Sequence, residues 1–137
     1  MSSLNYIQSN AVVTLPNQAA ITIYACDSGK TLLVPAQGVA SVVTMPALQA
    51  GLRYRFLVTA GLGFTFTITP TAGTVTGTCL LLIPGAAAAC IISTVIKAAN
   101  NTIVIGAAAT AGTYLDMNCD GNIWYTSGVS TAAVGFA

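Results

Sequence analysis

From Leu52 to Thr59 the chain reads Leu-Arg-Tyr-Arg-Phe-Leu-Val-Thr, which puts Leu52, Tyr54, Phe56 and Val58 on one side and Arg53, Arg55 and Thr59 on the other. A period of two is the side-chain repeat of a strand with one face buried; a helix would scatter the same residues around its circumference. Phe64-Thr-Phe-Thr-Ile-Thr69 repeats the pattern, with Phe64, Phe66 and Ile68 opposite three threonines. The link Ala60-Gly-Leu-Gly63 has hairpin length, so the two segments are predicted to pair antiparallel with their aromatic faces aligned.

The same β-branched and aromatic signal recurs in short runs. It predicts strands over Ala11 to Leu15, Ala20 to Cys26, Thr31 to Val34, Ala40 to Thr44, Thr74 to Thr76 and Leu80 to Ile83. Further strands are predicted over Cys90 to Ile96, Thr102 to Gly106, Thr113 to Asn118, Asn122 to Thr126 and Ala132 to Phe136. Gly, Pro, Asn and Asp punctuate them, as at Asp27-Ser-Gly29, Pro70 to Gly73 and Asp120-Gly121. Pro46 to Gly51 has room for one helical turn and no more. So many short strands bury a face only by stacking or closing sheets, so the expected fold is all-β, an antiparallel β-sandwich or jelly-roll-like arrangement. The 137 residues suit a single domain over 11–137, preceded by an N-terminal arm over 1–10 that orders on assembly.

What keeps such a fold in water is not charge. Charged residues make up 5% of the chain and hydrophobic residues 55%, against a usual charged share of roughly a quarter. The surface must then be Thr, Ser, Asn and Gln, or be covered by partners, and the partners expected are proteins, including copies of the chain itself. Lys30, Arg53, Arg55 and Lys97 are too few and too dispersed to track phosphates, so no nucleic-acid partner is expected. The most apolar stretch, Cys79 to Ile96, is broken by Pro84-Gly85 and preceded by a Thr-rich, Gly-punctuated flank, so no membrane span is expected either. Met1 to Asn10 lacks the basic start and apolar run of a secretory signal, which implies synthesis in the cytoplasm. Cys26, Cys79, Cys90 and Cys119 are then expected as reduced, buried thiols, with disulfides open to form only after release from a cell.

The chain contains no His and no Glu. That removes Ser-His and Cys-His nucleophile pairs, imidazole metal ligands and glutamate acid/base work together, so no enzyme activity, catalytic residue or cofactor is expected. Asp27-Ser-Gly-Lys-Thr31 ends like a phosphate-binding loop, but the first Gly of that pattern would fall at Tyr24, and a strand follows where a helix is required. Asp116-Met-Asn-Cys-Asp-Gly-Asn122 spaces Asp116, Asn118 and Asp120 like the start of a calcium loop, yet Ser127 stands where the closing acid belongs. A hairpin turning at Asp120-Gly121 explains those residues better, with a weak calcium site at a subunit boundary as the alternative. Arg53 and Arg55 share a strand face and are candidates to grip a partner's carboxylate, or else are solvated. Trp124 and Tyr125 must point to opposite faces, one to the core and one to the surface or an interface. Asn100-Asn-Thr102 formally fits a glycosylation acceptor.

Three stretches carry a resemblance: Gly29-Lys-Thr-Leu-Leu-Val-Pro35, Thr44-Met-Pro-Ala-Leu-Gln-Ala-Gly-Leu-Arg-Tyr-Arg-Phe56, and Leu115-Asp-Met-Asn-Cys-Asp-Gly-Asn-Ile-Trp-Tyr-Thr-Ser-Gly128. In this order they resemble small β-rich capsid decoration or cement proteins, minor capsid proteins of tailed phages and other DNA viruses. The resemblance implies a sandwich or jelly-roll-like subunit, commonly a homotrimer, seated on the major capsid protein and reinforcing the shell. It supplies no catalytic residue. Similar strand and turn patterns also look like parts of tail fibres and receptor-binding proteins, which implies a receptor- or glycan-binding module as the alternative, with exposed aromatics such as Tyr6 or Tyr125 as contacts.

Overall fold

The computed structural model describes residues 11–82, 90–91, 102–132 and 134–136. Among the described residues twelve strands form two sheets, which gives an all-β class. The first sheet contains β1 (Val12–Thr14), β3 (Thr31–Val34), β5 (Arg53–Val58), β7 (Thr74–Leu82), β8 (Cys90–Ile91), β10 (Tyr114–Cys119) and β11 (Ile123–Ser130). The second contains β2 (Ala20–Thr22), β4 (Ser41–Thr44), β6 (Phe66–Thr69), β9 (Ile103–Ile105) and β12 (Val134–Phe136). The N-terminal arm over 1–10, with Tyr6, lies outside the described residues, as do the side chain of Cys90 and the acceptor asparagine of Asn100-Asn-Thr102.

The pairing is not the antiparallel one expected. Through its first half the chain alternates sheets at every strand, so β1, β3 and β5 lie parallel in one sheet and β2, β4 and β6 lie parallel in the other. Parallel neighbours need a crossover, and here the crossover is a strand of the opposite sheet rather than a helix. The hairpin predicted between Leu52–Thr59 and Phe64–Thr69 is therefore replaced by a step between layers. Leu62 and Gly63 on the link donate their N–H groups to Ala109 O (2.9 Å) and Ala107 O (3.0 Å), which ties the step down. The aromatic faces still meet, because Phe56 and Phe66 pack edge-to-face with ring centroids 6.0 Å apart. Phe64 is exposed and stands outside β6. In the second half the pairing is mixed: β10 lies antiparallel between β5 and β11, and β9 antiparallel between β6 and β12, while β11 runs parallel to β7.

Strand alternation fixes what each layer buries. On β5 the residues Tyr54, Phe56 and Val58 are buried while Arg53 and Arg55 are exposed. On β10 the buried set is Leu115, Met117 and Cys119, and on β11 Trp124 is fully buried beside exposed Tyr125. These residues join Leu32, Val34, Val43, Phe66, Ile68, Ile103 and Ile105 in one apolar cluster fed by both sheets. Burying apolar area at about 25 cal/mol per Å² is the main stabilising term for such a cluster.

Local corrections follow from turn chemistry. The strand predicted over Ala20 to Cys26 stops early and gives way to a single 3-10 turn, Ala25–Asp27, where Asp27 Oδ2 accepts the Tyr24 N–H at 3.3 Å. Pro46 to Gly51 makes a non-helical turn closed by Leu52 N–H to Gln49 O (3.3 Å), with Gly51 at φ 89°. Gly29-Lys30-Thr31 is a turn running into β3, not a phosphate loop running into a helix. Cys26 is exposed, contrary to the expectation of buried thiols, whereas Cys79 and Cys119 are buried; all three are unpaired. Among the described residues no helix is long and apolar enough to cross a membrane.

Candidate functional site

The outer face of the first sheet gathers the polar residues that the sequence singles out. Register places Thr31, Arg55, Asp116 and Ser127 in one row across β3, β5, β10 and β11. A second row, nearer the β10–β11 turn, runs Arg53, Asn118, Tyr125. Arg53, Arg55 and Tyr125 therefore lie on one exposed face, and Asp116 and Asn118 lie among them. A groove of about 380 Å³ opens there, lined by Lys30, Thr31, Arg53, Arg55, Asn118 and Ser127 among others.

The two arginines differ in what they already hold. Arg55 makes a two-pronged contact with Asp116, Nε to Oδ1 at 2.6 Å and Nη2 to Oδ2 at 2.8 Å, and its guanidinium carbon sits 5.2 Å from the centre of the Tyr114 ring. The hydrogen bond to Asp116, reinforced by its charge, raises the Arg55 pKa further. Lys30 Nζ pairs with Asp27 Oδ1 at 2.8 Å, and that hydrogen bond raises its pKa. Arg53 has no carboxylate partner among the described residues. Its backbone N–H is held by Ser28 Oγ at 3.1 Å, which anchors the start of β5 while leaving the side chain exposed.

At the end of the second row, Asp120 organises the β10–β11 turn. Its Oδ1 accepts the N–H groups of Asn122 and Ile123, both at 2.8 Å, and its Oδ2 accepts the Tyr125 hydroxyl at 3.2 Å. The Asn122 and Ile123 bonds hold the Asp120 carboxyl below its ordinary pKa, while the bond to Asp120 raises that of the Tyr125 phenol. Tyr125 is 46% exposed, with its ring pinned by its own hydroxyl.

This geometry engages the groups that spaced like a calcium loop. Both Asp116 oxygens face Arg55, and Asp120 is occupied by the turn. Among the described residues no three His, Cys, Asp or Glu side chains cluster as a metal set. The Arg55–Asp116 pairing escaped the sequence reading because its only trace is an opposite-charge pair on two strands whose register is not written in either. The Asp27–Lys30 pair, three residues apart, was visible in principle.

Chemically, the described residues of this face offer the Arg53 guanidinium, which no carboxylate holds, an amide, hydroxyls and an exposed aromatic ring. That set can hold a carboxylate or a hydroxyl-rich ligand by hydrogen bonds and stacking. No family model matches the chain, and no curated protein matches it.

Proposed function

We propose that the chain is a virion structural protein, a capsid decoration or cement subunit whose two sheets stack as a sandwich and which acts by burying surface against copies of itself and a major capsid protein. In this reading it is non-enzymatic, is made in the host cytoplasm, works as a homotrimer on the capsid surface, and takes neither nucleic acid nor membrane as partner.

The observation that supports it most is the one-sided distribution of charge among the described residues, outside which Lys97 lies. Asp27, Lys30, Arg53, Arg55, Asp116 and Asp120 all belong to the outer face of the first sheet or to turns adjoining its strands. The outer face of the second sheet presents Ala20, Val42, Thr67 and Val104 in one row and Thr22, Thr44 and Thr69 in the next, with no charge among them. Val42 is 44% exposed there. Natural sheets that stay in solution put charges on such faces and edges, so a charge-free sheet face suits permanent burial in an assembly.

Light scattering of the purified protein, then mixing with capsids that lack it and imaging, tests this reading. A trimer that occupies regular positions on the shell is the expected result, and Val42→Asp should abolish occupancy or trimer formation. A monomer that capsids ignore would overturn it.

A second reading, a receptor- or glycan-binding module of a tail fibre or spike, is favoured by the exposed Tyr125 ring standing in one row with Asn118 and Arg53. Binding of the purified protein to host cells without binding to capsids would select it.

A further inference from the structure

We propose that the row Arg53, Asn118, Tyr125 is a binding site for a carboxylated saccharide. The inference rests on the glycan-binding reading above and names the ligand class that the site would take.

The three residues stand on adjacent strands, β5, β10 and β11, as consecutive register partners. Strands lie about 4.8 Å apart, so the row spans roughly 10 Å. That length suits one pyranose ring with its substituents. Each residue supplies a different part of sugar recognition. Arg53 carries an uncommitted guanidinium whose planar fork matches a carboxylate. Asn118, exposed at the centre, offers both a donor and an acceptor to ring hydroxyls. Tyr125 offers an apolar ring face for the C–H side of a sugar, and its hydroxyl bond to Asp120 fixes the ring before any ligand arrives.

The surroundings select charge as well as shape. Arg55 is taken by Asp116 and Lys30 by Asp27, so among the described residues Arg53 is the cation beside the groove that has no carboxylate partner, while the Asp120 carboxylate at the Tyr125 end of the row would turn the acid group of a sugar toward Arg53. The floor and walls contributed by Thr31, Asn118 and Ser127 are hydroxyls and an amide. A protein partner anchors best in a desolvated pocket that takes an aromatic or aliphatic side chain, and this shallow polar row is not one. An acidic peptide is therefore the disfavoured source of the carboxylate.

Calorimetric titration of the full chain with trigalacturonic acid, its methyl ester and neutral maltotriose tests the site. The free acid should bind about tenfold more tightly than the ester, a difference of the size expected for a charge-assisted hydrogen bond. Arg53→Gln should bring the acid down to the ester's affinity, Tyr125→Ala should weaken it about fivefold, and Tyr125→Phe, which keeps the ring face but releases it from Asp120, should weaken it by about twofold. Equal binding of acid and ester by the wild-type protein would overturn the carboxylate assignment while leaving a glycan-binding role standing. Absence of binding to all three sugars would overturn both. Displacement of trigalacturonic acid by an equal concentration of a polyglutamate peptide would overturn the saccharide in favour of a protein ligand.

Discussion

Arg55 and Asp116 face each other as register partners on antiparallel strands β5 and β10, and their side chains close a fork of two hydrogen bonds at 2.6 and 2.8 Å. The Arg55 side chain remains 52% exposed, so water and salt screen the pair despite its ideal geometry. A double-mutant cycle with Arg55→Ala and Asp116→Ala, read by urea unfolding, should give a coupling of about 0.5 to 1 kcal/mol. The coupling should shrink at high salt. A salt-independent coupling well above that range would mean the pair is shielded by something that covers this face.

Two glycines mark where strands approach too closely for any side chain. A Cβ on Gly77 would lie 1.8 Å from Thr126 O, and one on Gly128 would lie 2.2 Å from Tyr114 O. Both clashes are with backbone, which cannot rotate away. Gly77→Ala and Gly128→Ala should each destabilise by about 2 kcal/mol or more, because the parallel β7–β11 pairing or the β10–β11 pairing must shift to admit the methyl group. Gly61→Ala, where a Cβ would meet nothing within 4 Å, should change stability by less than about 0.5 kcal/mol. Chemical denaturation of the three variants checks the contrast.

Phe66 tests the step between layers. It is fully buried and touches Phe56 on the other sheet, although only Ala60 to Gly63 and the strand ends separate their elements in sequence. Phe66→Ala should cost about 3 to 5 kcal/mol. Because the ring joins the two layers, near-UV dichroism and far-UV dichroism should report the loss at the same denaturant concentration. Separate transitions would show that the two sheets unfold independently.

Much of this was legible in the alternation alone. Burial on β5 follows the pattern of Leu52 to Val58, and Trp124 is buried where Tyr125 is exposed, because the pleat assigns side chains to faces whatever a strand's neighbours are. Topology was not legible, since a short Gly-containing link between two alternating runs serves a hairpin or a change of sheet equally well. The three-fold alternation between sheets also hides from a search for repeats. Its register partners, Val12, Thr31 and Arg55 in one sheet and Ala20, Val42 and Thr67 in the other, recur at unequal spacings, and within each sheet no two are of one residue type. The candidate site was half legible: Arg53, Arg55 and Tyr125 could be named, but which arginine is free depends on Asp116 lying opposite Arg55, a long-range fact of register.

Tyr54 gives the fold a dependence on alkaline pH. It is buried beside Trp124, with ring centroids 6.1 Å apart, and its hydroxyl donates to Tyr24 O at 3.0 Å. Burial, with smaller contributions from the charges of Asp27, Cys26 and Cys119, pushes its pKa from 10 up to about 12. The folded state thus holds the phenolic proton over a range where the unfolded chain releases it. Stability from this group is complete below about pH 10 and falls as pH rises from there through about 12, because the unfolded state binds fewer protons in that window. Unfolding free energies measured in urea at pH 8, 10 and 11 should fall over the last interval. Tyr54→Phe should flatten that fall at a cost of about 1 kcal/mol at neutral pH, the typical net worth of one hydrogen bond whose acceptor can return to water. Tyr125, raised by Asp120, acts in the same direction, so Tyr54→Phe must be compared with Tyr125→Phe; a slope removed by the second and not the first would assign the alkaline transition to the surface pair.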